Sequence, residues 1–438
     1  MEEHEYQKGI KAWAMYDWAN SAFATTIMAA VLPVYYSTVA SADLSPADAT
    51  ANWAFTTTIA LILVAVLGPV LGAMADFTGA KKRFFTFFVL MGVTGTALLY
   101  FVGTGDWLLA SFLFIIGDIG FSGSIVFYDS FLPHIARPED IDQVSSRGYA
   151  TGYLGGGILL AVNMAAIMLV PDSLTQLMTR LAFVSVAIWW LAFTIPLWRT
   201  VKEPARRIHA EEVKKNVFAA SFGRLSKTFS ELRTYRQLLK FIVAFWLYNN
   251  GIGTIIIMAT IYGTELGFGM ETTLGTLLMV QFVAVPFAFL FGWLAKKIGT
   301  KPAILFSLAV YTLIAIGGYF LQVPWHFWVL GFGVATVQGG SQALSRSLCG
   351  RMIPKSKSAE FFGFFSVSEK IAGTVGPLVF GIVSKIMGGS RLSIVSLIIF
   401  FIAGGFLLTK VDEKEGIRVA DEEEARLVKA TTVENPIY

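Results

Sequence analysis

The sequence predicts an all-α integral membrane protein of twelve transmembrane helices arranged as two pseudo-symmetric six-helix bundles. Three observations carry that expectation: an apolar composition, the spacing of long apolar runs, and the alternation of basic loops with nearly uncharged ones. Of 438 residues, 55% are apolar and only 15% are charged, a balance that soluble domains do not show. A spanning helix needs roughly 20 mostly apolar residues, so a chain of this length has room for about twelve of them, short loops and one longer connection.

The runs that meet this requirement are 13–36, 53–75, 84–102, 107–127, 149–170, 181–198, 238–262, 274–295, 303–321, 325–344, 361–382 and 392–408. Most lack the polar face that a buried helix of a large soluble protein would carry, which leaves lipid as their surroundings. The first run is long enough to span and the first ten residues form a polar, acidic stretch, so it is expected to stay as a helix rather than act as a cleaved leader.

Loop charges set the orientation, because cytoplasmic loops retain Lys and Arg during insertion. Alternate loops hold Lys81, Lys82 and Arg83; Arg137 and Arg147; a basic run from Arg199 to Lys240; Lys296, Lys297 and Lys301; and Arg351, Lys355 and Lys357. The loops between them hold only Arg180, Lys385 and Arg391. Both termini are therefore expected on the cytoplasmic side of a cell (inner) membrane, and the net charge of +4 reads as topology rather than nucleic-acid binding. Cys349 is the only cysteine and the four histidines are scattered, so neither an intrachain disulfide nor a metal site is expected.

Six runs precede residues 200–236 and six follow, which suggests a repeat. The turn Gly72-Ala-Met-Ala-Asp76-Phe-Thr-Gly79-Ala-Lys81-Lys82-Arg83 is echoed by Gly292-Trp-Leu-Ala-Lys296-Lys297-Ile-Gly299-Thr-Lys301. Ile27-Met-Ala29 is echoed by Ile257-Met-Ala259, which sets Asn20 opposite Asn250, and Gly123-Ser124 with Asp129 is echoed by Gly340-Ser341 with Arg346. Three echoes in one order predict a bundle over 1–199, a cytoplasmic amphipathic linker over 200–236, a second bundle over 237–410 and a solvated, mobile tail over 411–438. Val217, Phe218, Phe222, Leu225, Phe229 and Leu232 supply the apolar face of that linker.

The Gly72–Arg83 turn resembles the loop signature of the major facilitator superfamily, and the two six-run halves extend that resemblance over nearly the whole chain. Tyr16-Asp-Trp-Ala-Asn-Ser-Ala22, Phe127-Tyr-Asp-Ser-Phe-Leu-Pro-His134, Ser146-Arg-Gly-Tyr-Ala-Thr-Gly-Tyr-Leu-Gly155 and Gln338-Gly-Gly-Ser-Gln-Ala-Leu-Ser-Arg346 with Ile353-Pro-Lys resemble its vacuolar-effluxer-like (autophagy-related) branch. The resemblance implies the major facilitator fold and, from the fungal members, efflux of amino acids. Lys296 stands where the first half has Asp76, a departure that leaves the second-half loop without its acidic member.

If the halves pack as the resemblance implies, Asp76 lies near the start of the eleventh run, where free backbone N–H groups and the helix dipole favour an anion. It then acts as a latch on the cytoplasmic side, with Arg83 or Arg147 as a paired cation. The bland alternative is a loop carboxylate that helps to set topology.

Ionisable and amide groups inside spans are costly unless paired or wetted, so they point to function. Asp17, Asn20 and Ser21 form an i, i+3, i+4 stripe, with Asn249 and Asn250 as its counterpart in the seventh run; Gln281, Gln338 and Gln342 join them as solute contacts. Interhelical hydrogen bonding is the competing reading for each. Asp118, in mid-run, is the first candidate for a proton carrier and Glu369 the second. Arg346 reads either as a clamp for a substrate carboxylate or as a gate partner of Asp129, and its place near the cytoplasmic end favours the gate. The Gly155-Gly-Gly157 and Gly373-Thr-Val-Gly376 runs read as packing devices rather than phosphate cradles.

No nucleotide loop, catalytic constellation or cofactor motif occurs, so no enzyme activity is expected. The leading expectation is a monomeric secondary transporter for a small polar solute, an amino acid or related metabolite, working by alternating access and either driven by protons or running as a uniporter. Efflux of amphipathic drugs is the alternative within transport, and a non-transporting receptor or scaffold the alternative outside it.

Overall fold

A computed structural model of the chain describes residues 3–205, 234–387 and 389–434. Among the described residues every regular element is helical. The helices are α1 (Glu3–Ala40), α2 (Pro46–Thr78), α3 (Lys81–Leu98), α4 (Trp107–Ile135), α5 (Ile141–Met168) and α6 (Asp172–Thr200). Beyond residue 234 come α7 (Arg236–Glu265), α8 (Met270–Ile298), α9 (Thr300–Tyr319), α10 (Pro324–Arg351), α11 (Ser358–Met387), α12 (Ser390–Thr409) and α13 (Glu413–Glu434). The amphipathic linker expected over 200–236 falls mostly on 206–233, outside the described residues.

Eleven of the described helices, α1 to α9 with α11 and α12, contain stretches long and apolar enough to cross a bilayer. α10 is as long as its neighbours but carries Gln338, Gln342, Ser341, Ser345 and Arg346, all inward-facing or half-buried, and so falls short on hydropathy alone. The most exposed large side chains include Phe55, Phe101, Leu169, Leu313, Ile399 and Phe406. Such a coat suits hydrocarbon and would aggregate in water. The chain is thus a multi-pass membrane protein with twelve transmembrane helices.

The chain divides into two compact units: Met1–Leu67, Ala80–Tyr128 and Thr151–Glu203 form one, and Gly68–Gly79, Asp129–Ala150 and Pro204–Tyr438 form the other. In the first, α1 packs on α6 and α3 on α6, and α3 meets α4 backbone to backbone where Gly92 faces Gly120. The turn after α2 reaches Lys82, whose ammonium donates to the carbonyls of Trp198 (2.6 Å) and Val201 (2.8 Å) at the end of α6, where the helix dipole favours a cation. In the second unit, α7 packs on α11 and α12, and α8 on α10.

α1 is α-helical to Ala22, then widens to π geometry over Phe23–Ala30 and Tyr36–Ala40. π turns are rare and cluster at functional sites, and this one begins two residues after the Asp17, Asn20, Ser21 stripe.

The tail corrects an expectation. Residues 413–434 are the amphipathic helix α13, with Gly416, Ala420 and Leu427 buried, rather than a mobile extension. Its inward positions recur at helical spacing, and its acidic residues find basic partners; composition alone hid both.

Candidate functional site

In the first unit the stripe on α1 is inside. Asp17 is 9% exposed and its Oδ2 accepts from the Tyr128 hydroxyl at 2.8 Å. Tyr128 is held by stacking on Trp13 (4.4 Å between centroids), whose indole N–H donates to the Tyr128 carbonyl at 3.0 Å. Tyr16 donates to Ser124 at 2.6 Å, tying α1 to α4 one turn further on.

Asn20 is 3% exposed, and its amide reaches toward the Tyr16 hydroxyl without its Nδ2 completing a well-formed hydrogen bond. A buried donor left unmet costs about 1–3 kcal/mol, so that amide calls for a polar guest or a water. Ser21 is half-buried beside Gly152 and Gly156 of α5. The glycines allow that approach: a Cβ on Gly155 would lie 2.6 Å from the Trp18 carbonyl oxygen. Asp118 is buried in α4 and accepts from Ser122 at 3.3 Å.

In the second unit the amides divide. Asn250 is fully buried and both ends of its amide are engaged: Nδ2 donates to the Trp246 carbonyl at 2.6 Å and Oδ1 accepts from the Gly376 N–H at 2.9 Å. It bridges α7 to α11 at a crossing where a Cβ on Gly376 would strike Thr254; Gly373, by contrast, faces open space. Asn249 and Gln338 are buried, whereas Gln281, Gln342 and Glu369 are half-buried on α8, α10 and α11.

The same unit holds an ionic cluster. Asp76 accepts from the backbone N–H groups of Ala359 (3.3 Å) and Glu360 (2.8 Å) in the first turn of α11, where unpaired N–H groups attract an anion. Gly72, one turn earlier, makes room: a Cβ there would sit 2.6 Å from the Ala359 carbonyl carbon. The turns that end α2 and α8 share a device, since Gly79 (φ 64°) and Gly299 (φ 95°) both adopt left-handed backbone. Of the two cations expected beside Asp76, Arg83 is exposed on the first turn of α3 and Arg147 is half-buried on α5.

Asp129 of α4 pairs with Arg346 of α10 at 3.2 Å. The guanidinium also donates to Ser145 Oγ (2.9 Å) and the Ser145 carbonyl (2.8 Å), and lies 4.3 Å from the centre of the Tyr149 ring. A second pair joins Asp142 of α5 to Arg351 at the end of α10 at 2.5 Å. Asp142 further accepts from Ser347 (2.5 Å) and Thr300 (2.8 Å). Both buried carboxylates are thus met by a guanidinium, and Asp142 by two hydroxyls as well, the condition under which burying charge is tolerated.

Sequence reasoning missed Asp142, Ser145, Thr300 and Arg351. Arg351 counted only as a topology charge. The signal for Asp142 was an acidic residue in a basic loop, one turn from Ser145 and Ser146.

A polar stripe inside the spans and ion pairs buried at helix ends are the make-up expected of a transporter of the major facilitator type. Comparison of folds agrees: the proton:xylose symporter XylE matches with a TM-score of 0.73 over 95% of this chain and 98% of that one, at 14% identity. The human organic anion transporter MFSD10 (TETRAN) matches with a TM-score of 0.68 over 92% and 99%, at 13% identity. At such identities the likeness speaks for the fold alone.

The family model described as "Vacuole effluxer Atg22 like" matches residues 45–421, and the chain belongs to that family. The MFS-type transporter YxiO of Bacillus subtilis, itself uncharacterized, is 37% identical over 424 residues, 95% of this chain and 98% of that protein. Autophagy-related protein 22 of Coccidioides immitis is 25% identical over 85% of this chain and 74% of its own length.

Proposed function

We propose that this protein is a secondary transporter that moves a small polar solute, an amino acid or related metabolite, by alternating access between bundles 1–199 and 237–410. The observation that carries the polar solute is Asn20, whose amide nitrogen is buried in a span beside Tyr16 with no well-formed hydrogen bond, one turn from Asp17. A cavity for amphipathic drugs would gain nothing from such a group, because an apolar guest leaves it unmet. The family's description as vacuole effluxers supports efflux of metabolites as the physiological direction.

In this reading Asp17, Asn20, Ser21, Asn249, Gln281, Gln338 and Gln342 contact solute, while Asn250 holds α7 on α11. Asp76, Asp129 with Arg346, and Asp142 with Arg351 form the gate on the cytoplasmic side and must break for the solute to pass. Arg83 and Arg147 flank it. Asp118 carries the coupling proton, with Glu369 as the second titrating group; a carboxylate inside a span is costly unless it serves such a role. Both termini face the cytoplasm of a cell membrane, and the protein works as a monomer.

Uptake into proteoliposomes from a panel of amino acids and related metabolites, with and without an imposed pH gradient, tests the reading. Accumulation of at least one polar metabolite supports it. Accumulation of lipophilic cations alone would replace it with drug efflux.

A further inference from the structure

We infer that α13 is a strap on the inner gate: Glu413 and Glu423 position the 351–360 segment so that Arg351 meets Asp142 and the first turn of α11 meets Asp76. The inference rests on the gate reading above and extends it to a helix that reading does not use.

The segment between α10 and α11 is gripped from two sides. From one side come Asp142, on Arg351, and Asp76, on the N–H groups of Ala359 and Glu360. From the other comes α13. Arg351 Nη1 pairs with Glu413 at 3.0 Å while its Nη2 holds Asp142, so one guanidinium serves both carboxylates. Lys357, 7% exposed, pairs with Glu423 at 3.1 Å, and the Ser356 N–H donates to Glu424 at 2.9 Å. Gly416 lies against Met352, where a Cβ would come within 2.7 Å of the sulfur, and Leu427 is buried.

Arg351 has a single fork and several rotamers. Glu413 fixes one face of it, which leaves the other aimed at Asp142 with less freedom to lose when the gate closes. Charge pairs and a narrow apolar seam make the contact: Ile417 and Val419 pack on the core of this unit, while along α7 a cavity of about 230 Å³, lined by Tyr235, Gln237, Met352, Glu415 and Val419, leaves part of the seam unfilled. A helix held in this way can detach without unfolding what lies beneath it.

Cys349 is the only cysteine, is fully buried, and lies two residues before Arg351, so its reaction rate with a maleimide reports opening of this end. In the full-length protein without solute, Glu413→Gln with Glu423→Gln should raise that rate about three- to tenfold, the range two partly buried ion pairs support. Lys357→Glu and Glu423→Lys should each raise it singly and return it to the unsubstituted rate together. Asp129→Asn serves as the gate's own control. If Asp129→Asn accelerates labelling and the tail variants do not, the strap is overturned and the gate stands; if neither accelerates it, both fall. Should the tail variants fail to fold, hydrogen exchange of the unsubstituted protein decides. Correlated opening of 413–427 with 351–360 supports the strap, and a tail that exchanges while 351–360 stays protected overturns it.

Discussion

Arg346 and Asp129 form an ion pair at 3.2 Å with side chains only 3% and 8% exposed, and the same guanidinium donates to both the hydroxyl and the carbonyl of Ser145. Removing one member of such a pair strands the other charge, at a cost of about 3–5 kcal/mol. Asp129→Ala should therefore lower the thermal unfolding midpoint in detergent and abolish uptake. Asp129→Leu with Arg346→Met should recover much of the midpoint but none of the uptake. Recovered uptake would mean that the pair serves stability alone.

Gly72 predicts a steric test of the latch. An added methyl cannot fit beside Ala359, so Gly72→Ala must push α2 off the start of α11 and carry Asp76 away from its two N–H donors. Uptake should fall at least as far as in Asp76→Asn, which keeps the shape and loses only the charge–dipole attraction of about 0.3–2 kcal/mol. Full activity in Gly72→Ala would detach Asp76 from gating.

Asn20 and Asn250 occupy echoed sequence positions but are predicted to behave differently. Asn20→Ala removes an unmet donor and should leave stability nearly unchanged while raising KM about five- to a hundredfold, the value of about 1–3 kcal/mol of hydrogen bonding. Asn250→Ala strands the Gly376 N–H and should cost about 1–3 kcal/mol of stability, with a smaller effect on KM. Melting curves and uptake kinetics on both variants separate ligand contact from packing.

Proton coupling is tested by comparing two modes of transport. Asp118→Asn should abolish accumulation driven by a pH gradient yet leave solute exchange across the membrane running, since exchange needs no net proton movement. Glu369→Gln should weaken accumulation less. Loss of both modes together would assign Asp118 to folding or solute binding.

The architecture was legible because hydrocarbon imposes long apolar runs, and even α10, the least apolar of the spans, kept helical spacing around Gln338, Gln342 and Arg346. The chemistry near the helix ends was less so. A loop charge such as Arg351 satisfies the topology rule whether or not it pairs, so sequence gives no reason to match it with Asp142, 209 positions away. The tail misled for a related reason: Glu413, Glu423 and Glu424 look solvated until Arg351, Lys357 and the Ser356 N–H are placed beside them. Asn20 and Asn250 share an environment in sequence, and only the closeness of Gly376 shows that one amide is already engaged.

The proposed transport cycle requires the contacts at the Asp76, Asp129 and Asp142 cluster to part each time, and a reversible crosslink there puts that requirement to the test. A Cβ on Gly292 of α8 would lie 2.9 Å from the Ser146 Cβ of α5, within about an ångström of the roughly 3.8 Å spacing of a disulfide. Ser146→Cys with Gly292→Cys, in a Cys349→Ser background, should lose uptake on oxidation and regain it on reduction. Uptake that continues at the reduced rate in fully crosslinked protein would contradict the account.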